Sequence, residues 1–118
     1  MAVLMVAFSL LIGCGSQTRD GGAGQVVVYT SVDQVFSEPI FRDFQRQTGI
    51  RVRAVFDTEE TKSTGVVNRI IAETANPQAD VFWSGDPVRQ FLLSKRGLLE
   101  NYVSPNTSAI PTQFKSPD

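Results

Sequence analysis

Ala79-Asp80-Val81-Phe82-Trp83-Ser84-Gly85-Asp86-Pro87 decides the reading of this chain. The apolar run Val81-Phe82-Trp83 has the character of a short buried strand. It stops at Ser84-Gly85, and Asp86-Pro87 then opens a helix. An Asp at the N-cap accepts backbone N–H bonds from the first turn. A Pro fits the first helical position, where its missing N–H removes no bond. The stretch therefore predicts a strand, a tight turn and a capped helix. In open α/β sheets, ligands sit beyond the carboxyl ends of strands at such joints.

The flanking sequence repeats the pattern twice upstream. Val26-Val27-Val28-Tyr29-Thr30 is a run suited to a strand covered on both faces. The polar joint Ser31-Val32-Asp33-Gln34 follows it. Phe36, Ile40, Phe41 and Phe44 then recur at helical spacing, with Ser37 or a neighbour as cap and Pro39 in the first turn. Gly49 is placed to end that helix. Ile50, Val52, Ala54 and Phe56 alternate with Arg51, Arg53 and Val55, which predicts a strand near a sheet edge. Residues 57–64 form a polar joint. Val66, Val67, Ile70 and Ile71 mark a second amphipathic helix running to about Ala75, stopped by Asn76-Pro77.

After the opening motif, the third helix is expected to turn Val88, Phe91 and Leu92 inward. Lys95 and Arg96 lie in its last turn and Gly97 follows it. Tyr29 and Trp83 read as core residues. From Ser104 onward the chain is Pro- and Ser-rich and loses periodicity. The order β-α-β-α-β-α predicts a three-layer α/β fold with a mainly parallel sheet. Its three polar joints, 31–34, 57–64 and 84–86, fall on one sheet edge.

Bulk composition excludes several classes. Eleven basic and twelve acidic residues give a net charge of −1, without the basic excess typical of nucleic-acid binding. There is no histidine, which removes the commonest general base and imidazole ligand. No phosphate loop, dinucleotide fingerprint after a strand, or nucleophile elbow is present, so the sequence does not read as an enzyme.

The first thirteen residues are almost uniformly apolar and suit a signal-peptide core rather than a membrane span. They end in Leu11-Ile12-Gly13-Cys14, and Cys14 is the single cysteine. This resembles a bacterial lipobox, which assigns residues 1–14 to a lipoprotein signal and Cys14 to lipidation. No Lys or Arg precedes Arg19, a departure from an ordinary signal. Residues 15–24 are small and polar and read as a flexible tether. Residues 25–118 form the folded part.

That part resembles the N-terminal region of extracellular solute-binding proteins of bacterial ABC importers, most nearly the ferric-iron-binding type. The matching stretches are Val27-Val28-Tyr29-Thr30-Ser31, Phe41-Arg42-Asp43-Phe44 through Thr48-Gly49-Ile50, Asp57-Thr58-Glu59, Ala79-Asp80-Val81-Phe82-Trp83 and Gly97-Leu98-Leu99-Glu100. The resemblance implies the first lobe of a two-lobed periplasmic-binding-protein fold that closes on a solute by hinge motion. It also implies an extracytoplasmic, lipid-anchored location, with permease and ATPase subunits as partners. The chain is shorter than such folds and is expected to be a fragment or truncated product.

In the iron-binding type, the first-lobe ligands resemble a His after the first strand and a Glu after the third. The corresponding positions here hold Ser31-Val32-Asp33-Gln34 and Gly85, with Asp86 adjacent. Asp33 and Asp86 are then the candidate oxygen donors to a transported Fe³⁺, and no resident cofactor is expected. A phosphonate or other small organic anion is the alternative, since helix N-termini attract anions. The candidate ligand-binding residues are Ser31, Asp33, Gln34, Glu59, Thr61, Ser84, Gly85 and Asp86.

Overall fold

The computed structural model describes residues 24–57 and 64–115. The predicted element order is present: β1 (Gln25–Thr30), α1 (Gln34–Thr48), β2 (Arg51–Phe56), α2 (Thr64–Ala72), β3 (Val81–Trp83) and α3 (Pro87–Lys95). Two 3₁₀ turns, Pro105–Ala109 and Thr112–Phe114, follow. The sheet is parallel with strand order β2-β1-β3. Gln25 pairs with Arg51 and Thr30 with Phe56 along one side of β1, while Val28 pairs with Val81 and Thr30 with Trp83 along the other.

Alternation along the strands sends side chains into two layers. Val27, Tyr29, Val55 and Phe82 pack with Val66 and Ile70 of α2. On the opposite face, Val26, Val28, Val52, Val81 and Trp83 meet Ile40, Phe41 and Phe44 of α1 around an apolar groove of about 360 Å³. Phe41 anchors that side. Its ring lies 5.7 Å from Trp83 in an edge-on arrangement and 6.4 Å from Phe56. Aromatic pairs favour such tilted geometry because ring edges are positive and faces negative.

The α2 side also holds a polar network. The hydroxyl of Tyr29, which is fully buried, donates to Glu73 at 2.9 and 3.1 Å. Arg69 Nε donates to Glu73 at 2.8 Å, and the Arg69 guanidinium lies 4.8 Å from the Tyr29 ring centre. Burial, reinforced by the bond to Glu73, raises the Tyr29 pKa above its ordinary value. The Arg69 hydrogen bond lowers that of Glu73.

At the start of α3 and at the ends of α1 and α3 the local signals behave as the sequence predicts, whereas Pro39 lies inside α1 rather than in its first turn and α2 ends at Ala72, short of Ala75. Asp86 Oδ1 accepts from Val88 N at 2.9 Å, with Pro87 in the first turn. Gly49 closes α1 at φ 73° and Gly97 follows α3 at φ 68°, both left-handed. Tyr29 is core, as expected.

Three further expectations are corrected. First, α1 begins at Gln34 with Asp33 before it, so Ser37 is not its cap. Ser37 is buried inside the helix because its hydroxyl donates to the Asp33 carbonyl at 3.1 Å. Second, Phe36 is 67% exposed, and Phe41 carries the contact instead. Third, Val88 and Phe91 are exposed and Leu93 is the fully buried residue of α3. A run with apolar residues on several sides does not reveal which side its neighbours cover.

Among the described residues both outer strands are sheet edges, and they differ. β2 carries Arg51 and Arg53 at exposed positions, as protected edges do. β3 carries no charge and leaves Val81 45% exposed, although its sequence reads as a covered strand.

Candidate functional site

A parallel sheet places the carboxyl ends of all its strands, and the N-termini of the helices that follow, at one edge. Here specific bonds tie the three joints together. Ser31 Oγ donates to Ser84 Oγ at 2.9 Å, joining the ends of β1 and β3. Ser31 N donates to the Trp83 carbonyl at 3.2 Å, and Asp57 N to the Thr30 carbonyl at 2.9 Å. Thr30 Oγ1 accepts from Val32 N at 3.0 Å, turning the chain away from β1.

Ser84 is buried and multiply engaged. Its hydroxyl accepts from Asp86 N at 3.0 Å, and its carbonyl accepts from Gln90 Nε2 at 3.1 Å. Gly85 beside it is exposed, its φ lies outside the left-handed region, and an added Cβ would meet nothing within 4 Å. The fold therefore does not require glycine there. What glycine supplies is an unobstructed approach to the backbone.

The two candidate aspartates differ. Asp86 uses one oxygen to cap α3, while the other lies 3.5 Å from Arg89 Nε. Asp33 precedes α1 but makes no side-chain bond to its N-terminus and is exposed. Its carboxylate thus remains available at the mouth of the joint. Gln34 turns its side chain along the helix, donating to Glu38 at 3.1 Å. Glu59, Thr61 and Cys14 lie outside the described residues.

Sequence reasoning did not single out Arg89. Its Nη2 donates to Thr64 Oγ1, the first residue of α2, at 3.2 Å. It therefore links the joint after β2 to the joint after β3. The signal was the Asp86-Pro87-Val88-Arg89 spacing, which puts an opposite charge one turn beyond a capping carboxylate. At the N-terminus of α2, Asp57 Oδ2 accepts from Val66 N at 3.3 Å.

Among the described residues, the edge thus presents hydroxyls, backbone N–H groups, one carboxylate not engaged by its helix, and one guanidinium. That set can hold and orient a polar solute. Among the described residues, no three His, Cys, Asp or Glu side chains cluster to hold a metal ion. Among the described residues, those lining the groove beneath α1 are all apolar and offer no polar group to orient a solute.

No family model matches the chain. An uncharacterized protein of Haemophilus influenzae is 28% identical over 94 residues, covering 80% of this chain and 26% of that protein. Solved structures match over a similar span. The periplasmic binding protein AfuA from Actinobacillus pleuropneumoniae, with exogenous fructose-6-phosphate bound, aligns at TM-score 0.70 and 32% identity, over 77% of this chain and 27% of its own. Ferric iron-binding protein A of Mannheimia haemolytica, in an open conformation, aligns at TM-score 0.68 and 28% identity, over 80% of this chain and 29% of its own. A Bordetella ferric binding protein shares the fold at TM-score 0.67 and 23% identity, over 79% of this chain and 28% of its own. The chain spans about a quarter of the length of the proteins it matches. Its described residues have the fold of a lobe of the periplasmic binding proteins.

Proposed function

We propose that this chain supplies one lobe of an extracytoplasmic solute-binding protein serving an ABC importer. Its polar sheet edge would contact the solute, and a permease with its ATPase would receive the cargo. The observation that carries this reading is the Ser31–Ser84 hydroxyl bond, which brings the β1 and β3 joints together beside the open backbone of Gly85. A binding role rather than catalysis agrees with the lack of histidine and of a nucleophile elbow in the sequence. Cys14 would anchor the protein to the membrane by lipidation, with residues 15–24 as tether.

A polar organic solute suits the edge better than Fe³⁺. Asp86 is engaged by its own turn and by Arg89, whose positive charge disfavours a bound trivalent cation. Iron is kept as the second reading because one structural neighbour, at 28% identity, is a ferric iron-binding protein.

Thermal unfolding of the purified chain with fructose-6-phosphate, a phosphonate, a neutral hexose or Fe³⁺-citrate tests the proposal. A ligand that binds the folded state at a hundred times its Kd adds about 2.7 kcal/mol of stability. An upward shift with an organic solute is expected. A shift with Fe³⁺ alone would move the assignment to iron, and no shift with any solute would overturn the binding reading.

A further inference from the structure

We propose that Arg89 is the residue that takes the oxyanion group of the solute, so that the site selects a small molecule carrying a phosphoryl or carboxylate group. The inference rests on the solute-binding reading above. Among the described residues of the three joints and the first turns they open, Arg89 is the one cation. Two contacts hold it in place, Thr64 Oγ1 at 3.2 Å and Asp86 Oδ2 at 3.5 Å. A guanidinium carries five N–H donors in a planar fork, so these two contacts leave several donors open. The side chain is about one-third exposed, which keeps that fork within reach of a solute.

Among the described residues, the neighbouring carboxylates offset it only in part. Asp86 caps Val88 N with one oxygen and keeps the other 3.5 Å from Arg89 Nε, while Asp57 accepts from Val66 N at a helix N-terminus that offsets its charge. The Asp33 carboxylate, on the α1 side, accepts nothing from its helix and would repel an anion. Among the described residues the edge is therefore polarised. An oxyanion belongs between the α2 and α3 starts, and hydroxyl groups belong toward Asp33 and Ser31. Bidentate pairing of planar guanidinium with phosphate or carboxylate supplies orientation as well as attraction.

The test titrates the chain with sodium phosphate, sodium acetate and, at matched ionic strength, sodium chloride, following the Arg89 Nε–H and the amides of residues 64–66 and 86–90 by NMR. Saturable shifts with phosphate or acetate and only screening-type drift with chloride are expected, the stronger oxyanion identifying the preferred group. Arg89→Met should weaken oxyanion binding about tenfold or more, and Arg89→Lys should restore part of it. Thermal melts of both variants check that each still folds. An unmoved Arg89 Nε–H, or equal oxyanion affinity in a folded Arg89→Met chain, would overturn the proposal. Binding of a neutral hexose or Fe³⁺ that ignores Arg89 substitution would overturn it while leaving the solute-binding reading standing.

Discussion

Asp80 and Val27 bind each other twice. Asp80 N donates to the Val27 carbonyl at 2.9 Å, and Val27 N donates to Asp80 Oδ2 at 2.8 Å. The side chain of Asp80 completes the ladder just where β3 begins, fixing the register that brings Trp83 beside Thr30 and Ser84 beside Ser31. The position of the site therefore depends on a carboxylate at the far end of a three-residue strand. Asp80→Ala should cost about 1–2 kcal/mol in urea unfolding, because Val27 N loses a charged acceptor. Asp80→Asn, which keeps an acceptor oxygen, should lose less. Equal losses would show that register does not depend on this bond.

Gly85 has open space where a Cβ would stand. Gly85→Ala should leave stability within about 1 kcal/mol of the parent. Solute affinity should fall, because a methyl would then stand between the solute and the backbone. Calorimetric unfolding and solute titration of one variant separate the two effects. Unchanged affinity would remove Gly85 from the site.

Asp33 gives a related contrast. Since it makes no cap bond, Asp33→Ala should change stability by no more than about 0.5 kcal/mol. Its effect should appear in solute affinity instead. A large loss of stability with affinity intact would assign Asp33 to the fold.

Leu93 is the fully buried apolar residue of α3. Leu93→Ala should destabilise by about 2–5 kcal/mol through lost burial and an unfilled cavity. Phe91→Ala, at an exposed position, should fall well below that. Denaturant midpoints of the two variants decide which side of α3 is covered.

The Tyr29–Glu73–Arg69 network gives stability a defined pH window. Glu73 titrates below its ordinary 4.5 in the folded state, so its contribution is present above that value and is lost as pH falls through the folded pKa. Tyr29 titrates above its ordinary 10.0, so its contribution is present below 10 and is lost as pH rises toward its folded value. Glu73→Gln should flatten the acid limb of a stability–pH curve. An acid limb unchanged by that substitution would place the responsible carboxylate elsewhere.

The legible parts of the sequence were those set by local chemistry. Asp86-Pro87, Gly49 and Gly97 announce helix ends because capping and left-handed backbone need no distant partner. The alternation of β2 announced an edge. Arg89 and Asp80 were not assigned roles because both act across chain separations that no spacing rule reports. Arg89 reaches back to Thr64, and Asp80 to Val27. Phe36, Val88 and Phe91 were misplaced for a related reason. Apolar periodicity marks what a helix can bury, and only packing decides what it does bury.

The most direct measurement is an amide shift map of the isotopically labelled chain on adding fructose-6-phosphate. The account predicts saturable changes concentrated at residues 31–35, 64–66 and 84–90, along the carboxyl edge of the sheet. Changes confined to the apolar groove around Ile40, Phe44 and Val81, or no changes at saturating solute, would contradict it.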